Sequence, residues 1–198
     1  MTTVQHPYVI AYAGEAEIQH VLFRRVRGEW RLTHAEPRRD DWGYGILRAR
    51  SGASRQGKPL FDVVNPRRQW TCADCGLCQV CGETARDPET GRYWWLLSDE
   101  GESEDRGWTN APPTCRACIP AAVTQCPHLR RGRPAVYTAG AFEPYGVFAV
   151  IYSRSGQLAY PLAEKEIVTF GDPRASHALA TQLLVCLRDL RLEPLEVV

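Results

Sequence analysis

Seven of the eight cysteines in this 198-residue chain lie between Cys72 and Cys126, and this clustering restricts the fold more than any other feature. The sequence begins MTTVQHP, with no basic segment followed by an apolar one, so no secretory leader is indicated. There is also no run of about 20 apolar residues that would span a membrane. We therefore expect a cytoplasmic protein with reduced thiols, in which CxxC pairs favour metal binding over disulfides.

The first cysteine group contains the pattern of a zinc knuckle. In CQVCG (residues 78–82), the two cysteines sit on a turn that brings their sulfurs together. The glycine that follows lets the backbone bend tightly around a metal ion. After the knuckle, GRYWWLLS (residues 91–98) and a short strand around Trp108 predict a β-hairpin.

A second CxxC pair, in TCRAC (residues 114–118), overlaps the start of a predicted helix over residues 116–125. A knuckle, a hairpin and a helix whose first turn carries CxxC follow one another in this order in treble-clef zinc fingers. A zinc ion bonded to four sulfurs at about 2.3 Å holds those sulfurs about 3.8 Å apart. We assign the first zinc ion to Cys78, Cys81, Cys115 and Cys118.

The remaining ligand-type residues suggest a second zinc site. A helix from Cys118 to Cys126 would separate these two residues by about 12 Å, so Cys126 cannot join the first site. The unassigned residues make a Cys3His set, in which the imidazole would have to be neutral to bind metal. This predicted second set consists of Cys72, Cys75, Cys126 and His128.

An iron–sulfur cluster is the alternative cofactor. Cys72, Cys75, Cys78 and Cys81 are each separated by two residues, which is close to the spacing in bacterial ferredoxins. The ferredoxin run ends in three residues followed by Cys-Pro, whereas here Gly82 follows the last cysteine. Two structural zinc ions therefore remain the preferred interpretation.

The rest of the chain predicts an α+β fold of antiparallel strands around this treble-clef-like module. A hairpin is indicated at residues 27–29, and apolar strands at residues 134–140 and 146–153. Leu179, Leu183 and Leu187 recur at helical spacing, so a C-terminal amphipathic helix is expected to close the fold. Asp172 would cap this helix, Pro173 would begin it and Pro194 would end it.

Three segments are expected from these patterns. Residues 1–69 form a β-rich segment, and residues 70–132 form a cysteine-rich module that would bind the metal. Residues 133–198 supply further strands and the C-terminal helix, and they are expected to pack with residues 1–69 as one domain.

The motifs CQVCG (78–82), YWWLL (93–97), PPTCRAC (112–118) and CPHL (126–129) resemble a family of small actinobacterial zinc-binding proteins. The resemblance implies a treble-clef-like cysteine module with a bound metal. It implies no reaction, because no activity is associated with that family.

No catalytic residue can be assigned from the sequence. All-thiolate zinc sites are normally closed, whereas catalytic zinc keeps an open coordination position. There is no histidine between Cys81 and Cys118, which argues against an HNH-type nuclease, and GxSxG and P-loop patterns are absent. We expect a zinc-stabilised, non-enzymatic interaction or regulatory module. An alternative is an enzyme of unrecognised type with a pocket between the cysteine-rich module and the β-rich remainder of the chain.

The charge distribution bears on the partner. The net charge is only +1, but residues 1–69 carry 12 Arg and Lys against 7 Asp and Glu, while residues 99–105 contain five acids. A protein partner can match both signs, whereas the acidic stretch would repel a phosphate backbone. A protein partner is therefore favoured, with no membrane contact. The alternative is a nucleic acid bound through Arg24, Arg25, Arg27 and Arg31.

Overall fold

The computed structural model describes residues 6–98 and 107–194, which form a mixed α+β fold dominated by strands. The strands are β1 (Ile10–Tyr12), β2 (Val21–Val26), β3 (Glu29–His34), β4 (Trp42–Gly43), β5 (Ile46–Arg48), β6 (Pro59–Val64), β7 (Tyr93–Ser98), β8 (Trp108–Thr109), β9 (Pro134–Ser155), β10 (Leu158–Thr169) and β11 (Ala178–Glu193). The helices are α1 (Pro66–Cys75), α2 (Ile119–Gln125) and α3 (Pro127–Arg131). Among these residues, no helix is long and apolar enough to cross a membrane.

The 22-residue strand β9 organises the main sheet, which has nine strands. β11 runs antiparallel to β9 along most of its length, and β7 and β10 pair with successive parts of β9. The order across the sheet is β3-β2-β10-β9-β11-β5-β4, with β8 pairing to β11. Strands from both ends of the chain therefore belong to one sheet. A separate two-stranded sheet joins β1 to β6.

Helix α1 packs against the main sheet and was not anticipated from the sequence. The Asn65 side chain accepts a hydrogen bond from the Arg68 backbone, Pro66 occupies the first turn, and Gly76 ends the helix in the left-handed conformation. These are standard signals at helix ends, so this helix was predictable. Because α1 includes residues 69 and 70, the expected boundary between the first two segments falls inside a helix.

The predicted C-terminal helix is wrong, because Ala178–Glu193 form β11. Asp172 does cap a helical turn, but this is a short 3-10 helix over Pro173–His177. β11 lies between β9 and β5 and has two register irregularities in its pairing with β9, around Ala180–Gln182 and Leu184–Val185. Such irregularities interrupt the two-residue alternation of a strand, and the remaining apolar pattern mimics helical spacing.

The side chain of Gln69, on α1, stabilises β11 at this irregular stretch. Its Oε1 accepts a hydrogen bond from the Leu183 backbone nitrogen at 2.8 Å, and its Nε2 donates to the Leu183 carbonyl at 2.9 Å. Gln69 is buried, and these two bonds satisfy backbone groups of Leu183, which lies between the residues of β11 that pair with β5 (179–180) and those that pair with β8 (185–186). The contact also fixes α1, and with it the start of the cysteine-rich module, against the centre of the sheet.

The hairpin at residues 27–29 is confirmed, with β2 and β3 paired around Arg27 and Gly28, both at positive φ. The hairpin predicted from residues 91–98 and Trp108 is not formed. β7 pairs with β9, and β8 pairs with β11. A shorter hairpin occurs instead, closed by a bridge between Arg86 and Tyr93.

Candidate metal centre

The sulfur atoms of Cys78, Cys81, Cys115 and Cys118 converge in one cluster. Their four Sγ atoms all lie within 4.8 Å of one another, and the sulfurs of Cys81 and Cys115 are 3.8 Å apart. This separation matches the spacing of about 3.8 Å that a tetrahedral zinc ion imposes on its sulfur ligands. Cys78 and Cys118 are buried, and Cys81 and Cys115 are partly exposed. The cluster is a possible metal site built from four cysteines.

The first pair of sulfurs is held by a tight turn. The Gly82 backbone nitrogen donates to the Cys78 carbonyl at 2.8 Å, and the Val80 nitrogen donates to the Cys78 Sγ at 3.4 Å. Gly82 has a φ of +82°, and a side chain there would lie 3.2 Å from the ring of Tyr8. The requirement for glycine after the second cysteine therefore arises from both backbone conformation and the close approach of the N-terminal segment.

The second pair is tied to the first by hydrogen bonds across the cluster. The Gln79 backbone nitrogen donates to the Pro113 carbonyl at 2.8 Å, and its side chain donates to Thr114 Oγ1 at 2.9 Å. Cys115 and Cys118 lie on a 3-10 turn that leads into α2. The Thr114 nitrogen donates to the Trp94 carbonyl at 3.0 Å, which connects this turn to β7 and so to the main sheet.

Two residues that the sequence interpretation did not single out also hold this region. Asp87 Oδ2 accepts a hydrogen bond from Trp94 Nε1 at 3.0 Å, and Asp87 Oδ1 accepts from the Thr90 backbone. Gln79 makes the two contacts described above. The sequence DPETG (residues 87–91) is a typical turn signal and could have indicated the role of Asp87, whereas nothing in the sequence distinguishes Gln79.

The thiols of the cluster differ in pKa. The pKa of Cys78 is lowered to about 5, mainly because the Cys115 thiol donates a hydrogen bond to its sulfur, and the pKa of Cys115 is raised by the same bond. Burial raises the pKa of Cys118 to about 12. A cation bound by all four sulfurs would displace these thiol protons, so its affinity should increase with pH.

Four thiolates fill a tetrahedral coordination shell, so an ion held here would have no position left for water or substrate. His34 does not add an open coordination position to this cluster. His34 begins an HxE sequence with Glu36, but it is buried on β3, its Nε2 lies 2.9 Å from the Arg48 carbonyl, and it is not part of the cluster. The arrangement favours a structural role for the metal.

The structure does not bring the second predicted set together. Within residues 6–98 and 107–194, the four clustered cysteines are the only group of at least three close His, Cys, Asp or Glu side chains. Cys72 is buried on α1, where its Sγ lies 3.8 Å from the Cys78 carbonyl and burial raises its pKa to about 12. Cys75 is exposed on the last turn of α1, Cys126 joins α2 to α3, and His128 is exposed on α3.

The physical reason is the unanticipated helix α1. This helix buries Cys72, whose raised pKa keeps the thiol neutral. The thiol points to the backbone carbonyl of Cys78, so Cys72 is not placed as a metal ligand. The four cysteines with ferredoxin-like spacing are not brought together either, because Cys72 and Cys75 do not join Cys78 and Cys81 in the cluster.

The basic hairpin has extensive contacts within the chain. The Arg25 guanidinium lies over Trp30 at 5.4 Å, and that of Arg31 lies over Trp42 at 5.3 Å. Arg24 donates to the Ala35 carbonyl at 2.7 Å, and Arg27 occupies the turn. The acidic stretch, residues 99–105, lies outside the described residues, so the expected repulsion of a phosphate backbone stays a prediction.

Comparison of the chain with protein-family models, with curated proteins and with solved structures found no match. The resemblance to a small actinobacterial family therefore stays an interpretation of the cysteine motifs.

Proposed function

We propose that this protein is a zinc-stabilised module that binds another protein, with a treble-clef-like metal site acting as scaffold. The observation that carries this proposal is the cluster of four cysteine sulfurs within 4.8 Å of one another. Zinc is the preferred ion because a tetrahedral all-thiolate set suits it, and because the consecutive cysteine run that would favour an iron–sulfur cluster is not the set that gathers. We assign one zinc ion per chain to this cluster.

A binding role is favoured over catalysis by the closed coordination shell, since a catalytic zinc needs an open position. A protein partner is favoured over nucleic acid because Arg24, Arg25 and Arg31 have intramolecular partners, and because phosphate binding would have to compete with the acidic stretch. Eight free cysteines in one chain suit a reducing compartment, so we place the protein in the cytoplasm.

The partner class can be tested with the zinc-loaded chain. We expect no micromolar binding to mixed DNA or RNA at roughly 150 mM salt, where phosphate-driven affinity is already reduced. Affinity purification of the tagged chain from nuclease-treated extract of its source cells should instead yield a protein in a fixed ratio. That protein should bind the purified wild-type chain and should not bind a Cys81→Ser variant.

A double substitution tests the alternative that the protein binds nucleic acid through its basic hairpin. If DNA or RNA binds at micromolar concentration and the double substitution Arg24→Glu with Arg25→Glu abolishes binding, the basic hairpin is the functional surface. That result would replace the proposed protein partner with a nucleic acid. The matched double substitution Arg130→Glu with Arg131→Glu reverses the same amount of charge on α3 and serves as the control.

A further inference from the structure

The zinc knuckle forms one wall of an apolar groove, which we call the knuckle groove. Its volume is about 200 Å³, and it lies between the two-stranded sheet on one side and helices α2 and α3 on the other. It is lined by Pro7, Ile10, Phe61, Gln79, Val80, Leu96, Thr114, Ala121, Ala122, Gln125, Cys126, Pro127 and Leu129. Ile10, Val80 and Leu96 are buried, so the interior of the groove belongs to the folded core.

The outer wall of the knuckle groove is an exposed strand with unpaired residues. β6 pairs only with β1 among the described strands, and the register changes so that Ile10 faces Val64 while Ala11 faces Leu60. Residues 61–63 therefore lie outside this pairing, and Phe61 is 61% exposed beside the groove. None of the described strands pairs with the second side of β6, and a free sheet edge of this kind can accept an added strand from a partner.

The rim of the knuckle groove beside α3 is basic, although no charged residue among those described lines the groove itself. From Gly107 to Phe142 the sequence contains no acidic residue, while α3 and the turn after it carry Arg130, Arg131 and Arg133. These arginines are exposed and have no ion pair within residues 6–98 and 107–194. Pro127 and Leu129 of α3 line the knuckle groove, so the charged residues are close to its rim. Positive charge at this rim that has no ion pair among the described residues would attract an acidic ligand.

The volume of the knuckle groove restricts its occupant. Pockets for small-molecule ligands usually measure about 300–1,000 Å³, and this groove is smaller. Its size and apolar lining suit one large aliphatic or aromatic side chain. The free edge of β6 suits an extended backbone, and the basic rim suits neighbouring carboxylates.

From these three observations we infer that the knuckle groove binds an extended acidic segment of a partner protein, which inserts one large apolar side chain. This inference rests on the proposed interaction function and names the surface that performs it. The zinc site would act indirectly, because Gln79 and Val80 of the knuckle line the groove and accept hydrogen bonds from residues 8 and 9 at its base.

The test uses two pools of labelled extended peptides with the zinc-loaded full chain. Both pools carry one central Leu, Phe or Trp, flanked by Asp and Glu in one pool and by Lys and Arg in the other. We expect the acidic pool to bind, with an affinity that falls at least tenfold in Phe61→Ala. It should fall similarly in Arg130→Glu with Arg131→Glu, and the control Arg24→Glu with Arg25→Glu should bind as the wild type does. Zinc content and thermal midpoint confirm that each variant is folded.

Equal binding of both pools, binding of neither, or binding only to anionic phospholipid vesicles would overturn the inference. So would equal losses from the two charge-reversal pairs, because the charge effect would then be non-specific. If the protein isolated by affinity purification still binds Phe61→Ala and the α3 double variant normally, only the groove assignment fails. If no protein partner is found and no peptide binds, the interaction function fails as well.

Discussion

Cys81→Ser is expected to empty the metal centre and unfold the cysteine-rich module. A structural zinc ion contributes about 10–16 kcal/mol of binding free energy at neutral pH. A whole domain is usually stable by only about 5–15 kcal/mol, so this loss cannot be absorbed by the remaining contacts. Trp94 and Trp95 are buried on β7 and donate to Asp87 and Ala111 within the same module. Their fluorescence should shift to longer wavelength in the variant, and zinc content should approach zero.

Two control substitutions show whether the effect of Cys81→Ser comes from losing a metal ligand or from losing any cysteine. Cys75→Ser changes an exposed residue close to the knuckle, and Cys126→Ser changes one outside the cluster. Both are expected to retain zinc and the wild-type fluorescence spectrum. If either variant lost zinc as Cys81→Ser does, the assignment of ligands to one four-cysteine cluster would be incorrect.

Replacing Glu15 is expected to cause the largest destabilisation outside the metal centre. Its carboxylate accepts from both terminal nitrogens of Arg68, at 2.6 and 2.7 Å, and from Asn65, while both charged side chains are buried. Arg68 also lies over the rings of Tyr8 and Tyr12. Removing one partner leaves the other charge buried without compensation, which typically costs about 3–5 kcal/mol. Urea unfolding of Glu15→Gln at neutral pH should show a loss of this size.

This pair should also make stability depend on pH. Burial acts to raise the pKa of Glu15, but hydrogen bonds from Arg68, Arg55, Tyr12 and Asn65 outweigh it and hold the pKa at about 2, below its ordinary value of 4.5. A carboxyl whose pKa is lowered by folding stabilises the protein above its unfolded pKa and loses this contribution as the pH falls towards the folded pKa. The difference in unfolding free energy between wild type and Glu15→Gln should therefore shrink between pH 4.5 and pH 2.

Comparing the two proteins at each pH removes the effect of acid on the thiolates, because both carry the same metal centre. Glu143→Ala provides the control, since it breaks the exposed pair with Arg188 and should leave the urea midpoint unchanged. A difference between wild type and Glu15→Gln that stayed constant across this pH range would show that the carboxylate charge contributes nothing.

The four clustered cysteines were predictable because zinc chemistry requires particular residues at particular short spacings. CQVCG (78–82) and TCRAC (114–118) can be recognised without knowing how the chain folds between them. The hairpin at Arg27 and Gly28 was predictable for a similar reason, since Gly28 supplies a positive φ that its turn requires. In both cases the determining interactions lie close together in the sequence.

The C-terminal strand and the positions of the second cysteine set could not be predicted, because they depend on contacts between residues that are distant in the sequence. Leu179, Leu183 and Leu187 fit a helix equally well, and only pairing with β9 and β5 makes this segment a strand. Cys72 has the spacing of a ligand, but α1 places it in the interior and its thiol faces the Cys78 carbonyl. The Glu15–Arg68 pair joins residues 53 positions apart, and no local pattern identifies it.

X-ray absorption spectroscopy with metal analysis of the protein as purified would identify the metal at the four-cysteine cluster and the atoms that bind it. We expect a colourless protein with one zinc ion per chain, bound by four sulfurs at about 2.3 Å and by no nitrogen or oxygen. Bound iron with inorganic sulfide, a mixed sulfur and nitrogen shell around zinc, or absence of metal from a fully folded chain would contradict the assignment of a structural zinc ion to this cluster.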